Sequence, residues 1–346
     1  MRSPSTGQVE EPFSARFHPG RSGRQNPDAA VLVGGLRMNQ PLGNAFDHHP
    51  VMVEEVEALL ASVPPGVSVD ATVGGGGHAA ALLDARPDLR LIAFDRDADA
   101  LAAAGNRLRR FGDRVIAFHH ARFDQLATLV DGPVSAVLFD LGVSSPQIDR
   151  SERGFSYIGD GPLDMRMDQR DPLTAADVVN TYDERTLARL FADSGDNRLA
   201  RRIAAAVVAA RPFTSTGQLA NVVAAAVPAP ARRRGHPAKR VFQALRIEVN
   251  HELDVLAPAI DDAIDLLAPG GRCVVLAYHS GEDRLVKERF AFAATGGCTC
   301  PPRLPCVCGA TPSVKLLNRG ARKPGADEIA ANRRAESARL RAIEKL

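Results

Sequence analysis

Tryptophan is absent from the 346 residues, and aromatics make up only 5%. A ladder of stacking side chains for long single-stranded nucleic acid is therefore excluded. Cysteine is scarce outside one stretch. Of five in the chain, Cys298, Cys300, Cys306 and Cys308 crowd together, and Cys273 stands alone in an apolar run. A disulfide-stapled extracellular domain would spread its cysteines along a small chain, so a reducing compartment, the cytoplasm, is expected. Long hydrophobic runs are also lacking. No stretch approaches the ~20 apolar residues of a membrane helix, and the polar, proline-containing start has no signal-peptide core. No membrane partner is expected. Nor is one sign of charge in excess, because 43 Lys and Arg face 41 Asp and Glu, for a net charge of +2. Any guidance of a polyanion must be local, and basic residues do cluster between Arg198 and Arg246 and again after Lys315.

Apolar residues are present at 45%, enough for the core of one or two domains. Residues 1–46 are rich in Pro, Gly, Ser, Arg and Asn without periodicity and read as a disordered extension. Val53, Val56, Leu59 and Leu60 then recur at helical spacing. Strand-like runs at 67–71, 89–95, 115–119 and 134–140 alternate with helical ones at 78–85, 97–111 and 123–130. That rhythm predicts a parallel sheet with crossover helices, its strands apolar on both faces. After Asp140 the rhythm changes to alanine-rich helices, from about Thr174 to Val227. A longer helical stretch from Ala238 to Leu267 is expected to break near Pro258. Cys273 to Tyr278 is another buried strand, with Cys273 as inert core, and Ser280 with Asp283 reads as a capping box. Val314 to Leu317 reads as a final strand and 327–346 as a charged helix or arm. The expected architecture is one α/β domain interrupted by a helical insertion and resuming near Ile247.

The sharpest local signal is Asp70-Ala71-Thr72-Val73-Gly74-Gly75-Gly76-Gly77-His78, between a strand and a helix. Glycines let the backbone turn sharply and approach a ligand, and a helix start presents unpaired N–H groups. The next strand ends at Asp95, whose carboxylate can accept ribose hydroxyls. The pattern implies an adenosine-containing ligand, NAD or S-adenosylmethionine, since Gly74, Gly76 and Ala79 also meet the dinucleotide spacing. The fourth strand ends at Asp140, where ligands of open α/β sheets bind. No dehydrogenase acid/base motif follows. The acid-proline-aromatic signature of many exocyclic-amine methyltransferases is kept only in part, because the loop lacks the adjacent aromatic.

The run Asp140 to Gln147 (DLGVSSPQ), Arg153 to Tyr157 (RGFSY) and Asp160 to Asp168 (DGPLDMRMD) resembles the RsmH (MraW) family, the 16S ribosomal RNA (cytosine-N4)-methyltransferases. His48 to Met52, the glycine turn, Phe94 to Asp97, Gln243 to Asn250 and Tyr278 to Arg284 resemble family motifs in family order. The likeness runs from about Asp47 to the end. It implies a Rossmann-like S-adenosylmethionine-dependent methyltransferase domain over 47–152 and 247–346, with an inserted helical substrate-recognition domain at 153–246. It also implies that Gly76, Gly77, His78, Asp95, Phe123, Asp140 and Gln147 contact S-adenosylmethionine. The substrate implied is a cytidine of the P-site region of 16S rRNA within the small ribosomal subunit. A non-catalytic assembly factor on the same fold is the rival reading, weakened by the full cofactor set. Two positions depart from the family: the second of the four glycines is often bulkier, and Gly281 stands where leucine is usual.

Cytosine N4 is a poor nucleophile because its lone pair is delocalised into the ring. An acceptor near its hydrogens would localise that pair and remove the proton, and Asp140, Ser144 and Ser145 are the candidates. The reaction needs neither a covalent cysteine nor a metal. Met165, Arg166 and Met167 either line the substrate mouth or form a turn with Asp164 paired to Arg166. Arg232 to Arg240, and Arg246 on the helix that follows, suit phosphates or are a solvated linker. The four clustered cysteines allow a tetrahedral metal site, but C-x-C is shorter than the usual zinc spacing, so free thiols or a redox pair stay open. Monomer and homodimer are both open.

Overall fold

The computed structural model describes residues 49–193, 197–232, 236–301 and 307–346. The expected N-terminal extension (1–46), Arg233, Arg234 and Cys306 lie outside the described residues. Helix α1 (Val53–Leu60) leads into β1 (Gly66–Asp70), α2 (Gly77–Ala85), β2 (Leu89–Asp95), α3 (Ala98–Leu108), β3 (Val115–His120), α4 (Leu126–Leu129) and β4 (Val134–Asp140). A helical segment follows: α5 (Ser145–Asp149), α6 (Ala175–Thr181), α7 (Glu184–Asp193), α8 (Asn197–Ala209), α9 (Thr216–Ala226), α10 (Ala229–Arg232) and α11 (Ala238–Asn250). The chain returns through α12 (Leu256–Leu266), β5 (Leu267–Ala277), α13 (Ser280–Thr295), β6 (Val314–Leu316), α14 (Ala326–Ala331) and β7 (Arg339–Lys345).

The strands form one seven-stranded sheet in the order β3-β2-β1-β4-β5-β7-β6. Strands β1 to β5 pair in parallel, and β7 is antiparallel to both β5 and β6. This is the Rossmann-like α/β arrangement. Its strands are apolar throughout because both faces are covered. In β4, Val137 and Phe139 face a cluster with Ile260 and Ile264 of α12. Ala136 and Leu138 face Met52, Val56 and Leu60, as the two-residue period of a strand requires. Strand order reverses between β1 and β4, which opens a crevice at their carboxyl ends. The helical segment carries its own apolar cluster, from Phe155 through Leu245 to Val249.

Three local expectations are corrected. The helical stretch breaks at His251 (φ 51°) and resumes at Leu256, so Pro258 lies in the first turn of α12, where a proline lacking its N–H is tolerated. The N-cap of α13 is His279, not Ser280. Its Nδ1 accepts from the backbone N–H groups of Gly281 and Glu282, and the Glu282 carboxylate accepts from the His279 N–H. Residues 339–345 are neither helix nor arm but the strand β7. Of the two readings open for Met165 to Met167, the structural turn is present, with Arg166 paired to Asp164 at 2.7 Å and both methionines buried, while Met167 also borders the cavity at the strand ends. Cys273 is fully buried in β5, and burial pushes its thiol well above the ordinary range.

Candidate active site

A cavity of about 1210 Å³ opens at the carboxyl ends of the parallel strands. One wall is built by the sheet: Gly74 and Gly77 after β1, Asp95 ending β2, Asp140 ending β4, and Tyr278 after β5. The opposite wall comes from the helical segment, with Tyr157, Ile158, Lys239 and Gln243. The carboxyl ends of the strands are where α/β folds place ligands.

The glycine turn is shaped by contact as well as by backbone angle. Gly76 has φ 76°, and a Cβ there would meet the Ala104 backbone at 3.2 Å. A Cβ on Gly77 would lie 2.5 Å from Pro50 Cγ. Asp95 holds the turn, one oxygen accepting from Gly74 N–H at 2.8 Å and the other from Asp97 N–H at 2.9 Å. His78, in the first turn of α2, is buried, and neither ring nitrogen has a hydrogen-bond partner among the described residues. Its burial, reinforced by the charge of His49, lowers its pKa to about 4, so the ring is neutral near pH 7.

Three carboxyls converge here, none with a basic partner at hydrogen-bond range among the described residues. Asp140 keeps 28% of its side chain exposed, and its Oδ2 lies 3.6 Å from His78 Nε2. The Tyr278 hydroxyl donates to Asp140 Oδ1 at 2.7 Å, and the Asp140 N–H donates to Thr72 Oγ1 at 2.6 Å. Burial pushes Asp140 up to about 7, with the Tyr278 hydrogen bond opposing and Glu282 adding to the rise. Burial likewise raises Asp95 to about 6. Asp70, below the turn, is raised to about 8 by burial and by repulsion from Asp140 and Asp95. Carboxyls at these strand ends suit a cationic ligand group placed beside them. S-adenosylmethionine, with its sulfonium and ammonium, fits.

The other expected site residues sit nearby. Phe123 is buried at the cavity wall, edge-on to Phe139 at 5.6 Å. Gln147 is engaged on both sides, since its Oε1 accepts from Ser144 N–H and its Nε2 donates to Asp97 Oδ2. The cavity bounds its other surface. Ser144 and Ser145 are half-buried cavity residues at the start of α5. Arg246 is not available to phosphate, because its guanidinium makes a two-pronged pair with Glu252, both contacts 2.8 Å. Sequence reasoning assigned no role to Tyr278 or Thr72. Tyr278 lies 138 residues from Asp140, so no local spacing announces the pair.

Residues 45–346 match the profile of the MraW methylase family. The chain is 54% identical over 311 residues to a protein of Frankia alni named ribosomal RNA small subunit methyltransferase H, covering 86% of this chain and 95% of that one. Its likeness to the protein of the same name in Symbiobacterium thermophilum is 49% over 312 residues, covering 87% and 98%. For the Nocardioides counterpart the figures are 54% over 312 residues, 86% and 96%.

Proposed function

The chain belongs to the MraW methylase family, and on that premise we propose that it methylates the exocyclic N4 of a cytidine in the P-site region of 16S rRNA, within the small ribosomal subunit. S-adenosylmethionine, when bound, supplies an electrophilic methyl group on a sulfonium. Gly76, Gly77, His78, Asp95, Phe123, Asp140 and Gln147 are the residues proposed to hold it. Gly77 lets the backbone approach, Gly76 behind it lets the turn pack against α3, Asp95 serves the ribose, and Phe123 flanks the base.

The observation that carries the reading is Asp140. It ends the central strand, borders the cavity, and is held by Tyr278 with its carboxyl near neutrality. A carboxyl poised there can accept a hydrogen bond from the N4 amine and then its proton. Ser144 and Ser145, at the adjoining turn, are proposed to orient the amine. Alignment of this kind lowers barriers by roughly 7–11 kcal/mol in well-oriented systems. The helical segment, proposed as a separate domain over 153–246, brings Tyr157 and Lys239 to the cavity mouth. They would receive one unstacked base and its phosphate.

The test is transfer of labelled methyl from S-adenosylmethionine to unmodified small subunits, followed by nucleoside analysis. N4-methylcytidine is expected, and Asp140→Asn should abolish it while subunit binding persists. A different methylated nucleoside, or no transfer despite cofactor binding, would overturn the assignment. Among the described residues no helix is long and apolar enough to cross a membrane.

A further inference from the structure

Away from the cavity, three thiols meet in the connection between α13 and β6. The Sγ atoms of Cys298, Cys300 and Cys308 all lie within 4.8 Å of one another, and those of Cys298 and Cys308 are 3.6 Å apart. Thiolates bound to zinc at ~2.3 Å in tetrahedral geometry are about 3.8 Å from each other. The observed separation matches that edge and is far from the ~2.05 Å of a disulfide. Three mutually close sulfurs also exceed what a single disulfide would bring together.

The sequence objection was that C-x-C is short for zinc. The fold answers it by bringing Cys308 from the far side of the loop against Cys298, so the ligands do not depend on one short turn. The two arms are already drawn together where Ser313 N–H donates to Ala293 O at 3.0 Å.

We propose that Cys298, Cys300 and Cys308 form a structural site for a thiophilic divalent cation, zinc above all, that clamps the α13–β6 connection. Thiolate donors select zinc over magnesium or calcium. None of the three cysteines borders the cavity, so the ion takes no part in methyl transfer. Its effect is on the sheet edge, where β6 pairs with β7.

The experiment uses the full chain, untagged and purified under reducing conditions without chelator. Elemental analysis should find about one zinc per chain, the stoichiometry of a single tetrahedral site. After stripping, titration with Co²⁺ should give the strong visible bands and sulfur-to-cobalt charge transfer of tetrahedral thiolate coordination, displaced by Zn²⁺. The variant C298S/C300S/C308S should lose both signals. Should that variant fold poorly, alkylation of the native chain with and without Zn²⁺, read by peptide mapping, gives the second measurement, with protection of these three cysteines expected. The proposal is overturned if the reduced protein gives no thiolate–cobalt bands, if Zn²⁺ leaves alkylation unchanged, or if mapping finds the three cysteines in disulfides.

Discussion

Binding of S-adenosylmethionine should release protons and strengthen as pH rises. The perturbation is pH alone, between about pH 5.5 and about pH 7.5, below the range where an α-ammonium titrates. Asp140 starts near 7 because burial opposes its charge. A cationic ligand favours its ionised form, so the complex holds Asp140 deprotonated while the free protein does not. For a group with a pKa of about 7, the ionised fraction rises roughly 25-fold across that interval, and affinity should follow it. Asp70 and Asp95 titrate on either side of Asp140, so one proton sets the minimum. His78, lowered to about 4, stays neutral throughout. Calorimetry in two buffers of different ionisation heat measures both affinity and protons released. S-adenosylhomocysteine, lacking the sulfonium charge, should give a shallower slope, and Asp140→Asn should flatten it. The linked stability term has the opposite sign. These carboxyls are raised in the folded state, so the free protein binds more protons folded than unfolded. Its thermal midpoint should therefore fall as pH climbs from about 5 to about 8. An affinity independent of pH, or one that weakens as pH rises, would refute the reasoning.

Tyr278→Phe removes the donor that lowers the Asp140 pKa. Hydrogen bonds to charged groups contribute about 1.5–3 kcal/mol, so methyl transfer near neutral pH should drop roughly ten- to hundredfold, with the acid limb of the pH–rate profile moved upward. Gly77→Ala puts a methyl 2.5 Å from Pro50. Overpacking of about 1–3 kcal/mol should lower both the thermal midpoint and cofactor affinity. Arg246→Met leaves Glu252 buried and unpaired, which should cost about 3–5 kcal/mol in denaturant unfolding, with most of it recovered in Arg246→Met/Glu252→Met. Loss of RNA binding in Arg246→Met without loss of stability would contradict the structural role given to that pair.

Much of the sheet was legible because its strands are continuous apolar runs punctuated by turn residues. Asp95 and Asp140 could be placed because strand ends mark ligand sites in such folds. What escaped notice depended on partners distant in sequence. In β7, Leu340 and Ala342 are buried on one face and alternate with Arg339 and Arg341, while Ile343 is buried on the other face, a two-residue period masked by the density of charge to which Glu344 adds. Those charges are answered elsewhere, Arg341 by Asp283 and Glu344 by Arg272. The α13 cap was misread by one residue because Ser280 and Asp283 satisfy the usual spacing, whereas a histidine ring nitrogen performs the task. Arg246 carries the charge expected of a phosphate ligand, and only the position of Glu252 shows that it is already paired.

The position of β7 bears on how the chain reaches this fold as it is made. In sequence it is the last strand, yet in space it lies between β5 and β6. During synthesis, which proceeds from the N-terminus, β1 to β5 can pair while residues 339–345 are still to come, but β6 has nothing to pair with. Until β7 arrives, β5 presents an open edge, the kind that recruits foreign strands. Sheet completion therefore waits on β7, and the interval before it arrives is when that edge is open to foreign strands.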